Sequence, residues 1–263
     1  MTAVRKIGMR TLVGTASVLM LVSAAQPVWA DNTTSGTAHS LMIGGHPAEA
    51  FLNDGSPERW YRTTVVAGRS YCAETQGGVF FDTNGTAGNI DTVVTVYKLD
   101  AFTVLATNDD ANTEPKSYRT SRACYVPTVS EPVLIQVVRF SGGTAFNFRL
   151  RIVESTLFSN WFFLGGDYSA FTLIRNTTNT TITYTVNWRN SAGTIVGTTT
   201  ATLGGDDSIA LDARSFPSAV LAVSGTVEIA HTGSPDAIVA STTVLSGTTG
   251  LSFDAPFMKR SSW

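Results

Sequence analysis

Acidic side chains concentrate between residues 82 and 114, where six carboxylates accompany one basic residue, Lys98. Calcium takes about six to eight hard oxygen ligands, and carboxylates from strand ends and a loop can supply them. Asp91 with Asn108, Asp109 and Asp110 is the candidate calcium site, because the last three share one predicted loop. The alternative is an ordinary solvated loop, since Asp and Asn also favour turns by bonding to their own backbone. No cofactor other than calcium is predicted.

Histidine is the side chain that hydrolytic chemistry most often needs, and the chain has three: His39, His46 and His231. His231 has the parity of Val227 and Ile229, which places it on the inward face at a strand end. It is therefore either a buried structural histidine or the base of a cryptic hydrolase. The chain contains none of the motifs G-x-S-x-G, H-E-x-x-H, G-x-x-x-x-G-K-[ST] and G-x-G-x-x-G. We therefore predict a non-catalytic protein.

Aromatic side chains offer a second kind of site, a stacking platform for a sugar. Trp161 and Phe163 are the candidate ligand-binding residues, within the run 161–163. The alternative is that this run packs at a domain junction. Trp188 lies on the apolar face of an alternating segment, which favours a place in the core.

Cys72 and Cys124 are the only cysteines. An even number is typical of disulfide pairing in an oxidising compartment, and we expect a bond between two strands of the first domain. Closing a loop of about 50 residues contributes about 4 kcal/mol in the chain-entropy model. The alternative is a pair of free buried thiols.

Residues 1–30 have the features of a cleaved secretory signal peptide. Arg5, Lys6 and Arg10 precede an apolar stretch over 11–25, and small residues favour cleavage after Ala30. An uncleaved membrane anchor is the alternative, although the apolar stretch is short for one. We predict a secreted protein, extracellular or at the cell surface, with no transmembrane segment in the mature chain. The mature net charge of −5 gives no electrostatic reason to bind nucleic acid.

Composition and periodicity predict an all-β fold. The chain has 38 Thr and 25 Val but only 4 Lys, and β-branched residues fit pleated strands better than helices. Alternating apolar residues indicate half-buried strands at 146–152 and at 182–188. Short strands punctuated by Gly, Asn and Asp turns are typical of β-sandwiches.

The chain is predicted to divide into four parts. Residues 1–30 form the signal peptide and residues 31–54, rich in Thr, Ser and Gly, form a flexible N-terminal arm. A boundary near 153–159 separates a jelly-roll-like sandwich at 55–153 from a second sandwich at 154–263, immunoglobulin-like or similar. A helical turn is expected only at 215–223.

The first domain resembles the bacterial pre-peptidase C-terminal (PPC) domain family over residues 55–153. The segments that carry the resemblance are 60–62 (WYR), 66–68 (VAG), 91–97 (DTVVTVY), 105–110 (LATNDD), 121–122 (SR) and 133–140 (VLIQVVRF). The resemblance implies a compact, non-catalytic β-sandwich of the kind appended to exported enzymes. It also implies calcium binding or adhesion, because the family is similar to the collagen-binding modules of clostridial collagenases. This chain departs from the family at 111–115, where ANTEP replaces a glycine-rich turn. The second half resembles no family that we can name.

These observations predict a secreted, non-catalytic binding, adhesion or accessory module, with an extracellular protein or polysaccharide surface as its partner. A carbohydrate-binding module that uses the aromatic residues of the second domain is the alternative. A cryptic secreted hydrolase centred on His231 is a further alternative.

Overall fold

The computed structural model describes residues 31–77, 91–111, 120–140, 145–215 and 223–259. The predicted signal peptide and most of the predicted helical turn lie outside these ranges. The described residues are all-β, with two short 3₁₀ turns at Ser35–Thr37 and Ala213–Ser215. The strands are β1 His39–Ser40, β2 Ala48–Leu52, β3 Glu58–Val65, β4 Tyr71–Gly77, β5 Thr92–Lys98, β6 Val104–Asn108, β7 Arg122–Tyr125, β8 Glu131–Arg139, β9 Phe146–Glu154, β10 Leu157–Leu164, β11 Tyr168–Asn176, β12 Ile182–Asn190, β13 Ile195–Leu203, β14 Ser208–Asp212, β15 Val223–His231, β16 Ile238–Ser246 and β17 Ser252–Lys259.

Two sheets form the first domain. One has the order β1-β3-β8-β5-β6 and the other the order β2-β9-β4-β7. Strand β9 shows why they stack: its alternate residues Phe146, Phe148, Leu150 and Ile152 are all at most 3% exposed. These side chains pack with the inward-facing residues of β3, β5 and β8 in one apolar core. The predicted period-2 strand at 146–152 is confirmed.

The segment 31–54 is part of this domain, which differs from the predicted flexible arm. Strand β2 pairs with β9 along its whole length, and its ends Ala48 and Leu52 are buried in the core. Further upstream, Asn32 is 8% exposed and its backbone carbonyl accepts a hydrogen bond of 2.7 Å from the Trp60 backbone. The pairing of β2 with β9 and the contact of Asn32 with Trp60 are made by backbone groups, which leave little periodic signal in the sequence.

Cys72 and Cys124 form the predicted disulfide, which is confirmed. The two residues lie directly opposite each other on the antiparallel strands β4 and β7, with their Cα atoms 4.1 Å apart. Since structural disulfides persist in oxidising compartments, this bond is typical of proteins outside the cytoplasm.

One eight-stranded sheet with the order β13-β12-β15-β10-β17-β16-β11-β14 forms the second domain. Strand β17 lets this sheet fold into two layers, because residues 252–256 pair with β16 while residues 257–259 pair with β10. The alternate residues of β12, from Ile182 to Trp188, face the core and are at most 4% exposed. The two-sandwich architecture predicted from the sequence is confirmed.

A buried polar junction joins the two domains between β9 and β10. Ser70, Ser155, Thr156 and His231 are all at most 1% exposed. The Ser70 backbone N–H donates to Thr156 Oγ1 at 3.0 Å, and the Ser155 N–H donates to the Ser70 carbonyl at 2.9 Å. The His231 backbone N–H donates to Ser70 Oγ, so the end of β15 is tied to the first domain.

Among the described residues, no helix has the length and hydrophobicity needed to span a bilayer.

Candidate functional site

Three of the four residues predicted to bind calcium come together at one end of the first domain. Asp91 immediately precedes β5, and Asp109 and Asp110 immediately follow β6, its antiparallel neighbour. The start of one strand therefore lies beside the end of the other. Carboxylate oxygens of the three residues lie within 4.8 Å of one another. Asp91 is half-buried and the other two are exposed.

A buried hydroxyl network supports this acidic cluster, defined as Asp91, Asp109 and Asp110. Ser121 Oγ donates to the backbone carbonyl of Asp109 at 2.6 Å, which fixes the loop after β6. The Ser121 N–H donates to Thr75 Oγ1 at 2.8 Å, and Thr75 Oγ1 lies 2.8 Å from Thr92 Oγ1. These three hydroxyl residues are at most 4% exposed and connect β4, β5 and the start of β7. The backbone beneath the cluster is therefore held by groups that solvent does not reach.

Asn108, the fourth predicted ligand, contacts the framework through its side chain. Its Oδ1 accepts a hydrogen bond of 2.8 Å from the Arg122 backbone N–H, which joins the end of β6 to β7. Asn108 was predicted to share a loop with Asp109 and Asp110, but it is the last residue of β6, and the structure gives its amide a positioning role.

The donor set of the acidic cluster fits a hard divalent cation. Three carboxylates offer six oxygen atoms, which is the ligand type that calcium and magnesium prefer. The three carboxylates repel one another in the absence of a counter-ion, because repulsion between like charges grows as their separation falls. A bound cation would therefore stabilise this end of the sandwich.

Glu74 is a buried acid that the sequence analysis missed. Its side chain is 4% exposed and lies between two arginines, with Arg122 Nε 2.7 Å from Oε1 and Arg151 Nε 2.9 Å from Oε2. The three residues link β4, β7 and β9 across the outer face of the sheet that carries the disulfide. The pairing is visible only once the strand register is known, because the three residues are far apart in the chain.

His231 is enclosed in the domain junction, with 1% of its surface exposed. Its Nε2 lies 3.1 Å from the Ser155 carbonyl oxygen, so this nitrogen carries the proton and donates. Burial lowers the pKa of His231 to about 4; backbone groups of Ser155 and Gly233 oppose the shift, and the charge of Lys259 adds to it. The imidazole is thus neutral at physiological pH and out of contact with solvent, which is the arrangement of a structural histidine.

The two candidate ligand-binding aromatic residues differ in exposure. Trp161 is 39% exposed and Phe253 is 51% exposed. The two rings contact each other edge-to-face, with their centroids 6.3 Å apart. The pairing of β10 with β15 shifts register between Ser159 and Phe162, and Trp161 lies within this irregular segment. Phe163 packs partly against the core and contacts Tyr168 edge-to-face at 5.7 Å. An exposed aromatic pair is therefore formed by Trp161 with Phe253, a residue that the sequence analysis did not single out.

A cleft of about 570 Å³ lies between the domains. Its walls carry one ion pair from each domain, Arg69 with Glu154 at 3.4 Å and Lys259 with Asp236. Because these charges are already paired, the cleft presents no excess of either sign from these groups.

No protein-family model matches the chain, and no curated protein shows significant sequence similarity to it. Among solved structures, a glycosyl hydrolase family 2 member from Bacteroides cellulosilyticus DSM 14838 matches with 11% identity and a TM-score of 0.22, over 77% of this chain and 28% of that chain. A Bacteroides uniformis β-glucuronidase matches with 11% identity and a TM-score of 0.20, over 77% of this chain and 26% of that chain. The chain thus spans less than a third of these structures' length. Similarity at this level carries no conclusion about function.

Proposed function

We propose that the protein is an extracellular, non-catalytic binding or adhesion module whose first domain is stabilised by calcium. The observation that carries this proposal is the acidic cluster, where Asp91, Asp109 and Asp110 converge within 4.8 Å. Its partner on this proposal is an extracellular protein or polysaccharide surface.

Two further features support the proposal. The disulfide between Cys72 and Cys124 is of the kind found outside the cytoplasm. The resemblance of residues 55–153 to PPC domains implies the same combination of export, calcium and adhesion. His231, the residue on which the hydrolase alternative depends, is buried in the domain junction.

The calcium component is tested by thermal unfolding of residues 31–263 in calcium and in chelator. A ligand at about a hundred times its dissociation constant adds about 2.7 kcal/mol to the free energy of unfolding. We expect the midpoint of the first domain, about 120 residues long, to rise by about 10 °C, and Asp109→Asn with Asp110→Asn to abolish that rise.

Asp206→Asn with Asp207→Asn is the matched control, because these two exposed aspartates also lie side by side in a loop. The control variant should keep the full calcium response. Equal midpoints in calcium and chelator for the wild-type protein would remove calcium from the proposal. A calcium response that both variants retain would place the ion elsewhere.

The adhesion component is tested separately, by binding of the protein to immobilised extracellular-matrix proteins and insoluble polysaccharides in calcium and in chelator. Saturable binding to one of these surfaces supports the proposal. Background retention on every surface, with a folded protein, would contradict it.

A carbohydrate-binding module is the second candidate, and the exposed pair Trp161 and Phe253 favours it. Aromatic faces bind sugars by stacking, and such a side chain contributes a large apolar contact. Glycan-array binding should be lost on Trp161→Ala and kept on Phe102→Ala, which removes an aromatic ring that is 86% exposed in the other domain. A blank array, or binding that survives Trp161→Ala, would argue against this candidate.

A further inference from the structure

Five of the six sheet edges formed by the described strands are short. The edges of the first domain are β1, β6, β2 and β7, which have two, five, five and four residues. In the second domain, β14 has five residues, whereas β13 at the other edge has nine. Edge strands expose unpaired backbone groups, and proteins limit unwanted pairing by keeping such strands short. Strand β13 is the exception, because it is a long edge strand.

Strand β13 has an irregularity at Val196, outside the Thr198–Thr202 segment, but its composition offers none of the other usual protections. Its sequence, IVGTTTATL, contains no charged residue and no proline. Thr198, Thr200 and Thr202 form its outward row and are all exposed. The inward row is also incompletely covered, because Ala201 is exposed. Lysine, proline or an inward-pointing charge would discourage pairing at such an edge, and this strand has none of them.

We propose that the Thr198–Thr202 part of β13 pairs antiparallel with the same segment of a second copy of this chain. A two-fold axis relates a strand to itself in the antiparallel direction, so the interface is isologous and self-limiting. The interface would join two eight-stranded sheets into one continuous sheet through backbone hydrogen bonds.

The chemistry of the strand favours a second copy as the occupant. The exposed threonine row would meet its own copy, and this chain already joins antiparallel neighbours in that way. Thr185 Oγ1 lies 2.9 Å from Thr200 Oγ1 between β12 and β13, and Thr95 Oγ1 lies 3.0 Å from Thr107 Oγ1 between β5 and β6. Cross-strand threonine pairs of this kind stabilise sheets.

Electrostatics does not oppose pairing of two copies at this edge. The predicted mature chain carries a net charge of −5, so two copies repel each other at most orientations. Strand β13 is uncharged, and Arg189 on the adjacent strand is neutralised by Glu228 at 2.6 Å. This edge therefore brings two copies together without placing like charges opposite each other. The inference goes beyond the proposed function and is independent of the calcium site.

Sedimentation velocity of residues 31–263 over a wide concentration series tests the proposal. The wild-type protein should shift from monomer to dimer as concentration rises. Thr198→Lys with Thr200→Lys, and separately Thr198→Glu with Thr200→Glu, should each weaken self-association by about tenfold or more, because like charges then oppose one another across the axis. An equimolar mixture of the two variants should form dimers again, since opposite charges now face each other.

Thr183→Lys is the control, because it adds one of the same positive charges to an exposed threonine on β12, one strand away from the edge. It should leave dimerisation unchanged. Circular dichroism checks that the variants fold, because they lose the side-chain hydrogen bonds that Thr198 makes to Asn187 and Thr200 makes to Thr185. A wild-type protein that stays monomeric throughout the series would overturn the proposal. An extended segment of another protein would then be the alternative partner of β13. A dimer that neither charged variant weakens would assign self-association to a different surface.

Discussion

Acidification should destabilise the second domain through His231, and the structure gives the size of the effect. The pKa of this histidine falls from an ordinary value of 6.5 to about 4 on folding, chiefly because burial disfavours the imidazolium. The unfolded chain therefore binds a proton more readily than the folded one between these values. The contribution of His231 to stability is complete above pH 6.5 and is lost progressively as the pH falls towards 4.

The magnitude follows from linkage. The pKa values of His231 in the unfolded and folded states differ by about 2.5, which lowers the free energy of unfolding by about 3 kcal/mol once both states are protonated. About 2 kcal/mol of this loss occurs between pH 7 and pH 5. The variant His231→Gln removes the titrating group and keeps a side-chain amide near the Ser155 carbonyl. Urea unfolding of both proteins at pH 7 and pH 5 measures the difference.

The expected result is a change of about 2 kcal/mol in the stability difference between the wild-type and His231→Gln proteins as the pH is lowered. Comparing this difference at the two pH values removes the constant cost of the substitution itself. His46→Gln, at an exposed position, controls for the loss of an imidazole and should follow the wild-type profile. A stability difference for His231→Gln that is the same at both pH values would refute the argument that burial keeps this histidine neutral.

Two further predictions concern the outer face of the first domain. Replacing Cys72 and Cys124 by alanine releases a loop of 52 residues and should lower the free energy of unfolding by about 4 kcal/mol, measured by denaturant unfolding; an unchanged midpoint would contradict a stabilising role for the bond. Glu74→Gln weakens two charge-assisted hydrogen bonds of a buried acid and should cost about 2 kcal/mol. By comparison, Glu49→Gln breaks a pair in which both side chains are more than half exposed, so it should cost well under 1 kcal/mol. Equal losses for the two glutamates would show that burial does not set the strength of these pairs.

The sequence predicted the features that depend on local pattern. Alternation in 146–152 and 182–188 located β9 and β12, because a half-buried strand places every second residue in the core. The cysteine count predicted the disulfide, and the clustering of acids around two strand ends predicted three of the residues that converge. Each of these inferences needed only residue types and short-range spacing.

The features that the sequence analysis missed depend on long-range pairing. Residues 31–54 lack periodicity, yet β2 is held by β9 and Asn32 by the backbone of Trp60. Strand β10 overlaps the predicted domain boundary at 153–159, and its alternation is interrupted by the irregularity between Ser159 and Phe162. The burial of Glu74 between two arginines and the partnership of Trp161 with Phe253 both require strand register, which residue types alone do not encode.

The position of β17 has a consequence for the kinetics of folding. This strand closes the second domain by pairing with β10, the first strand of that domain, and with β16. During synthesis, strands β10 to β16 are complete before their closing partner exists, and the edge of β10 has no strand beside it until then. Because closure of such distant pairs is slow, the nascent domain exposes an unpaired apolar strand for a period set by chain elongation and loop closure. Holding the chain extended until residues 252–259 are available, as export through a translocation channel does, would suppress misassembly at this step.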